Sequence, residues 1–309
     1  MVMQMTKTVV VTGAGGLIGR PLIRALAERG FKVIALDRDE VKFNHHNVLS
    51  YAAELTDSLR AHAILKSSNA DALIHCGAIS GPMVSNDNPY WICETNITGT
   101  ANLLEAARIH GVRRFIYCSS IAAYGPTSEG PITEECPLFP TDVYGGSKAA
   151  GEHLLAGYRY QHGLEGLALR IGWVYGPGRR TACMIREALK SGLRGEKIVI
   201  PGPADFPCHY LYVDDVVRGV IAALDAKSAP SLVYNLSSDR FLQLKDVCET
   251  LQNALPDIEV VLDESADTGD LYQGQLDPTR IKTELAFKPQ LSIHEGVIRY
   301  RDWLQEQSY

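Results

Sequence analysis

The sequence predicts an α/β protein: a doubly wound parallel sheet with helices on both faces, joined to a smaller second domain. Three observations predict it. Short apolar runs alternate with segments of helical apolar spacing through the first two thirds of the 309 residues. Those runs are rich in Val, Ile and Leu, as strands buried on both faces require. The last third breaks into short strands, Pro/Gly turns and separate helices.

In chain order, "TVVVTG" (8–13) reads as the first strand and feeds the helix "LIGRPLIRALAERG". "KVIALD" (32–37) is the second strand, followed by the helical "DSLRAHAILKSS". "ALIHC" (72–76) is next, then the long helix "YWICETNITGTANLLEAARIHG" and the strand "RFIYCSS" (114–120). "DVYGGSKAAGEH" (142–153) opens another helix with Asp142 placed to cap it, although Gly145 and Gly146 each cost about 1 kcal/mol there. "GLALRIG" (166–172) closes the regular part. Beyond it, "ACMIREALKSG" (182–192) reads as a helix and "KIVIPGPADFPCHYLYV" as short strands around a turn. "DDVVRGVIAALDA" (214–226) is a helix with Asp214 and Asp215 near its positive end. "LVYNLSS" (232–238) is a further sheet strand, and helices near 243–254 and 292–307 finish the chain.

Composition excludes several classes. Net charge is −6 and no long basic run occurs, which argues against nucleic acid as partner. No apolar stretch approaches the roughly 20 residues of a membrane span, so no membrane partner is expected. "MVMQMTKTVVV" lacks the apolar core and cleavage site of a signal peptide. Seven cysteines without a C-x-x-C pattern fit reduced thiols in a cytoplasm better than a disulfide framework or zinc site. His45-His46 lies in a polar loop without a Cys or carboxylate cluster, so no metal site is expected.

Ligands of parallel sheets bind beyond the carboxyl ends of the strands. Directly after the first strand come Gly13, Gly15, Gly16 and Gly19, with Leu17 and Ile18 between them, running into a helix. The N–H groups and dipole of a helix N-terminus favour a phosphate, and glycine lets it approach closely. The second strand ends in Asp37, where a carboxylate accepts hydrogen bonds from an adenosine ribose. A carboxylate there repels a 2′-phosphate, which favours NAD over NADP; Arg38 at the next position pulls the other way.

The spacing T-G-x-x-G-x-x-G from Thr12 to Gly19, together with Ser120, Tyr144 and Lys148, resembles the extended short-chain dehydrogenase/reductases, the NAD-dependent epimerase/dehydratase family. "NITGTANLLEAA", "FIYCSSIAAYG", "LRIGWVYGPG", "YLYVDDVV" and "LAFKPQLSIHEGV" extend the resemblance over nearly the whole chain. It implies a Rossmann NAD-binding domain over 1–172 that also receives about 210–238. Residues 173–209 and 239–309 then form the substrate domain. It implies further cofactor contacts at Glu54, Leu55, Cys76, Gly77, Ala78 and Ser119, with Asn96 supporting the lysine region. It also implies a homodimer paired through the helices around 92–110 and 145–162, and the cysteine pattern places the protein in the cytoplasm.

Physical chemistry supports the central roles. Removing hydride from a secondary alcohol also requires removing its hydroxyl proton. Free tyrosine titrates near 10, so a base useful near neutrality needs a shift of about 3 units, or ~4 kcal/mol. A cation about 4 Å away supplies that much at an effective dielectric near 20. Lys148 lies four residues from Tyr144 and shares its helix face. Ser120 would hydrogen-bond the substrate oxygen. The alternatives are a half-buried aromatic, a solvated charge and a loop cap, while His75, His209 and Tyr175 read as structural.

Departures from the resemblance bear on substrate. Nucleotide-sugar members have Asn where this chain has Trp173, and Arg-Asp where it has Cys208-His209. Losing both leaves a diphosphate poorly neutralised, which favours a free sugar, sugar acid or similar polyhydroxylated small molecule. Ser80, Ser120 and Trp173 are candidate contacts. Arg179 and Arg180 either meet a carboxylate or phosphate or form a solvated loop pair, and the loop pair is the preferred reading, with Arg179 kept as a candidate. Ile121 and Ala122 stand where dehydratases carry Asp-Glu, against dehydratase chemistry. A nucleotide-sugar epimerase with tightly held NAD is the alternative, and a catalytically silent NAD sensor the third reading.

Overall fold

The computed structural model describes residues 7–307 except 82, 83, 85 and 86. Residues 1–6, on which the signal-peptide reading partly rests, lie outside the described residues. No helix among the described residues is long and apolar enough to cross a membrane.

The first half alternates as the apolar pattern requires: β1 (Thr8–Thr12), α1 (Gly19–Glu28), β2 (Lys32–Asp37), β3 (Val48–Ala52), α2 (Ser58–Ser68) and β4 (Ala72–His75). Then come α3 (Pro89–Cys93), a π-helical turn at Glu94–Thr98, α4 (Gly99–Ile109), β5 (Arg114–Ser120), a 3-10 turn at Ile121–Tyr124, α5 (Val143–His162) and β6 (Glu165–Ile171). The second part holds β7 (Trp173–Tyr175), α6 (Met184–Leu193), β8 (Ile198–Pro201), β9 (Pro207–Cys208), β10 (Tyr210–Tyr212), α7 (Val213–Asp225) and β11 (Val233–Leu236). It ends with β12 (Leu242–Gln243), α8 (Leu244–Ala254), β13 (Val260–Asp263), α9 (Thr279–Leu285) and α10 (Ile293–Glu306).

Seven strands form one sheet in the order β11-β6-β5-β4-β1-β2-β3, with every pair parallel. The order reverses between β1 and β4, which opens a crevice at their carboxyl ends. One face of the sheet packs Val9, Val11, Ile116 and Leu167 against α1 and α7 through Leu22, Leu26, Val216 and Val220. The other face sets Val10, Leu73, Phe115 and Ala168 on α2, α4 and α5. A separate cluster built around Ile185, Leu189, Tyr210, Leu251 and Tyr300 forms the smaller body. Ile281, Leu285 and Phe287, at and beyond α9, pack on the large sheet rather than on that body.

Two departures from the sequence expectation have physical reasons. Edge strand β3 carries half-exposed and exposed residues, so it offers no apolar run to read. The single helix expected over 90–111 is interrupted by the π turn, where the Gly99 N–H reaches the Glu94 carbonyl. That turn carries Asn96, whose side chain is buried within the protein.

Candidate active site

The site is built on the ends of β1, β4 and β5 and the start of α5. Gly13 holds φ +69°, and a Cβ on it would stand 2.7 Å from the Gly77 nitrogen, so only glycine lets the first turn meet the end of β4. A Cβ on Gly19 would run into the Gly13 carbonyl. Asp37 reaches back to this turn: its Oδ2 accepts from Gly15 N at 2.8 Å and its Oδ1 from Arg38 N at 2.9 Å. The Arg38 guanidinium points instead to Asp39, 3.5 Å away, at the edge of a groove of about 590 Å³ shared with Glu54, Asp57 and Arg60. Ile18 packs on the sheet cluster, whereas Leu17 lies against the smaller body.

Behind the turn lies a fully directed hydrogen-bond chain. Gly77 N–H donates to Thr12 Oγ1 at 3.1 Å, which lies 2.7 Å from His75 Nδ1. His75 Nε2 is 3.0 Å from Thr100 Oγ1, whose hydroxyl donates to the Asn96 carbonyl. With Thr100 spent on that carbonyl, His75 donates from Nε2 and accepts at Nδ1, the neutral form. Burial lowers its pKa to about 3, with the Lys148 charge adding to the effect. Asn96 Oδ1 accepts from Ile79 N at 2.8 Å, and its Nδ2 donates to Ser147 Oγ at 2.9 Å. Ser147 in turn donates to the Tyr144 carbonyl at 2.7 Å. Asn96 therefore ties the loop of Cys76, Gly77 and Ala78 to the first turn of α5. Leu55 closes over Gly77, where a Cβ would lie 3.1 Å from its Cδ1.

Asp142 caps α5 by accepting from Gly145 N at 2.7 Å. Tyr144 and Lys148 follow on this helix, 8% and 4% exposed. Lys148 Nζ donates to the Cys118 carbonyl at 2.8 Å and lies 5.8 Å from the centre of the Tyr144 ring and 5.0 Å from that of Tyr117. Burial works against the Lys148 charge, but Tyr117, Tyr144, Cys118 and Cys76 outweigh it and hold its pKa above the ordinary lysine value. Ser120 ends β5 and caps the 3-10 turn, its Oγ accepting from Ala122 N at 3.2 Å. Its O–H donates to no group among the described residues.

Ser119, one residue earlier, is spent elsewhere. Its hydroxyl donates to Glu152 Oε1 at 2.5 Å, and Glu152 is held by Arg170 at 2.7 Å in a buried ion pair. Arg179 is likewise occupied: its guanidinium donates to the carbonyls of Val174, Thr181 and Ala182, which clamps its own loop. Trp173 stacks edge-on against His209 and Tyr210 and also packs beneath the serine turn beside Ile121 and Tyr124. Cys208 and His209 are buried, and burial lowers the His209 pKa to about 4, leaving a neutral ring that donates from Nε2 to the Gln273 carbonyl at 3.1 Å. Ser80 is exposed at the rim. Tyr175 is buried and donates to the Ile293 carbonyl, a packing residue as its sequence context implied. Gln273 joins this region from an irregular loop with no sequence signal to mark it.

Comparison with known proteins decides the family. The model of the NAD dependent epimerase/dehydratase family matches residues 9–237. This chain belongs to that family. A dTDP-glucose 4,6-dehydratase of Streptomyces griseus is 30% identical over 313 residues, covering 97% of this chain and 94% of the relative. A crystal structure of Thermotoga maritima UDP-glucose 4-epimerase with UDP-glucose matches with a TM-score of 0.87 at 28% identity, over 97% and 99% of the two chains. The complex of Thermus thermophilus UDP-glucose 4-epimerase with NAD matches with a TM-score of 0.85 at 26% identity, over 97% and 100%.

As a member of the epimerase/dehydratase family the chain is an enzyme, its fold is of Rossmann type, and its cofactor is NAD. The residues present fit that cofactor. Among the described residues no side chain caps α1 and no acidic residue sits in its first turn, so the positive end of its dipole meets no protein carboxylate there. Gly146, on the first turn of α5, has nothing within 4 Å of where a Cβ would point.

Proposed function

We propose that this family member removes hydride from a secondary hydroxyl of a sugar, sugar acid or similar polyhydroxylated small molecule. Tyr144 acts as the base, Lys148 as its electrostatic partner and Ser120 as donor to the substrate oxygen. The observation that carries the reading is Lys148 itself: a buried ammonium beside the Tyr144 ring, held by the Cys118 carbonyl. Tyr144 Oη has no hydrogen-bond partner among the described residues, so it is free to meet a substrate hydroxyl. Lys148 brings a positive charge beside the Tyr144 ring, and the Asn96–Ser147 link fixes the turn on which Tyr144 sits. Ser120 donates to the oxygen on which charge develops as its proton leaves. NAD supplies the hydride acceptor.

The Gly13–Gly19 turn and α1 N-terminus would hold the pyrophosphate, Asp37 the ribose, and Leu55, Cys76, Gly77 and Ala78 the middle of the cofactor. Ser119 and Arg179 carry no ligand role in this reading, because their polar groups already serve Glu152 and the 174–182 loop. Trp173, Cys208 and the neutral His209 bring no positive charge to the place where a diphosphate would need one, which supports a substrate without a diphosphate. Residues 173–209 and 239–309, apart from the α9 segment that packs on the large sheet, would supply the substrate side. Cytoplasmic residence is supported by seven free thiols, and a homodimer would use the helices around 92–110 and 145–162, where Ile109 and Tyr160 are exposed.

A nucleotide-sugar epimerase is the second reading, favoured by relatives that carry that activity over their whole length. A screen of polyols, sugar acids and nucleotide sugars tests the two. Net NADH formed from added NAD supports the first. Cofactor bound at one equivalent, released only on denaturation, with a nucleotide sugar epimerised and no net NADH, supports the second.

A further inference from the structure

Among the described residues, one side chain donates to the backbone carbonyls of the serine turn from outside it. Gln273 is 5% exposed, and its Nε2 donates to the Ile121 and Gly125 carbonyls, each at 2.9 Å. An amide has two N–H groups, and both are used. The two carbonyls mark the ends of the turn that begins at Ser120 and closes at Gly125, which holds φ +69°. The backbone carbonyl of Gln273 accepts from His209 Nε2, so one residue joins the smaller body to the serine turn. Its neighbours stitch the same two segments: Thr127 N donates to the Tyr272 carbonyl at 3.1 Å, and Gly274 N to Thr127 Oγ1 at 2.9 Å. Farther along, Ile132 N donates to the Gln275 carbonyl.

We infer that Gln273 is a positioning residue that sets the Ser120 hydroxyl by clamping both ends of its turn and registering that turn against His209. The inference rests on the reading of Ser120 as the donor to the substrate oxygen. Without the amide, the Ile121 and Gly125 carbonyls lose the one side-chain donor they have among the described residues, and the turn must shift to find water. A displacement near 1 Å at a reacting group costs on the order of 100-fold in rate. The hydrogen bonds of Gln273 run to Ile121, Gly125 and His209 and not to the Gly13–Gly19 turn, so its loss is expected to leave NAD binding unchanged.

The test compares wild type with Gln273→Met, which keeps the length but has no donor, and Gln273→Glu. Amide hydrogen exchange over 121–125, NAD titration and turnover of the best compound from the screen are measured. The expected result is exchange at least about tenfold faster over 121–125, unchanged over 13–19, with NAD affinity within about twofold and kcat lowered about 10- to 100-fold. Gln273→Glu recovers part of its rate and protection as pH falls toward about 5, where the protonated carboxyl donates one bond again. That recovery is a signature that lost packing alone would not give. Exchange over 121–125 within twofold of wild type in both variants overturns the inference. If Gln273→Met does not fold, Gln273→Glu followed across the same pH range decides it. Should wild type turn over nothing in the screen, the proposed reaction fails, while the exchange comparison still decides whether Gln273 holds the turn.

Discussion

Gly145 on the catalytic helix packs directly on the carbonyl of Ala122 in the serine turn. A Cβ at Gly145 would stand 3.0 Å from the Ala122 carbonyl carbon and nearer still to its oxygen. The two catalytic segments therefore touch backbone to backbone, and one of the two helix-weakening glycines is explained by that contact. Gly145→Ala is expected to push the turn away and lower kcat at least tenfold, with a stability cost of about 1–3 kcal/mol. Gly146→Ala meets nothing within 4 Å and is expected to stabilise the NAD-free protein by about 0.5–1 kcal/mol. Denaturant melts and steady-state rates of the two variants check the contrast.

The Arg170–Glu152 pair is buried at both ends and takes the Ser119 hydroxyl as well. Glu152→Leu leaves the guanidinium unpaired and is expected to cost about 3–5 kcal/mol. The double variant Glu152→Leu/Arg170→Met is expected to recover a large part of that loss. Urea denaturation of the three proteins measures the coupling.

Acid lowers stability through the two neutral histidines. Burial holds His75 at about 3 and His209 at about 4, below the ordinary value of 6.5. Below pH 6.5 the unfolded chain binds protons that the native chain refuses, so stability is full above that pH and is lost as pH falls toward 4 and 3. Each histidine contributes a slope of about 1.4 kcal/mol per pH unit inside its window. His209→Gln is expected to flatten the profile of unfolding free energy between pH 6 and about 4; an unchanged slope contradicts the assignment.

Asp37 is bonded to the glycine turn and would face the ribose. Asp37→Ser is expected to weaken NAD binding about tenfold or more and to narrow the preference over NADP. Fluorescence titration with both dinucleotides reads this directly.

Much of this was legible in the residues. The five apolar runs read from the sequence became β1, β2, β4, β5 and β6 because strands buried on both faces leave a continuous apolar signature. Ser120, Tyr144 and Lys148 lay within one helix turn or at a strand end, where spacing is informative. Other features left no local signature. Strand β3 buries little, and Gln273 acts across about 150 residues from a loop with no periodicity. Ser119 and Arg179 were read by position, yet the structure spends their polar groups on Glu152 and on backbone carbonyls. Those partners lie on other elements or depend on a loop's own shape, which spacing cannot report. The sequence shows the helix cost of Gly145 and Gly146 but not its reason: Gly145 makes room for Ala122, whereas Gly146 meets none of the described residues.

The central claim is that Tyr144 takes the proton as hydride leaves the substrate. Tyr144→Phe removes one hydroxyl and keeps the ring beside Lys148. Single-turnover NADH formation with the best substrate from the screen, measured beside NAD affinity, tests it most directly. The account predicts NAD binding within about twofold of wild type and a hydride-transfer rate lowered by roughly 10² to 10⁴. A rate within a few-fold of wild type would contradict it.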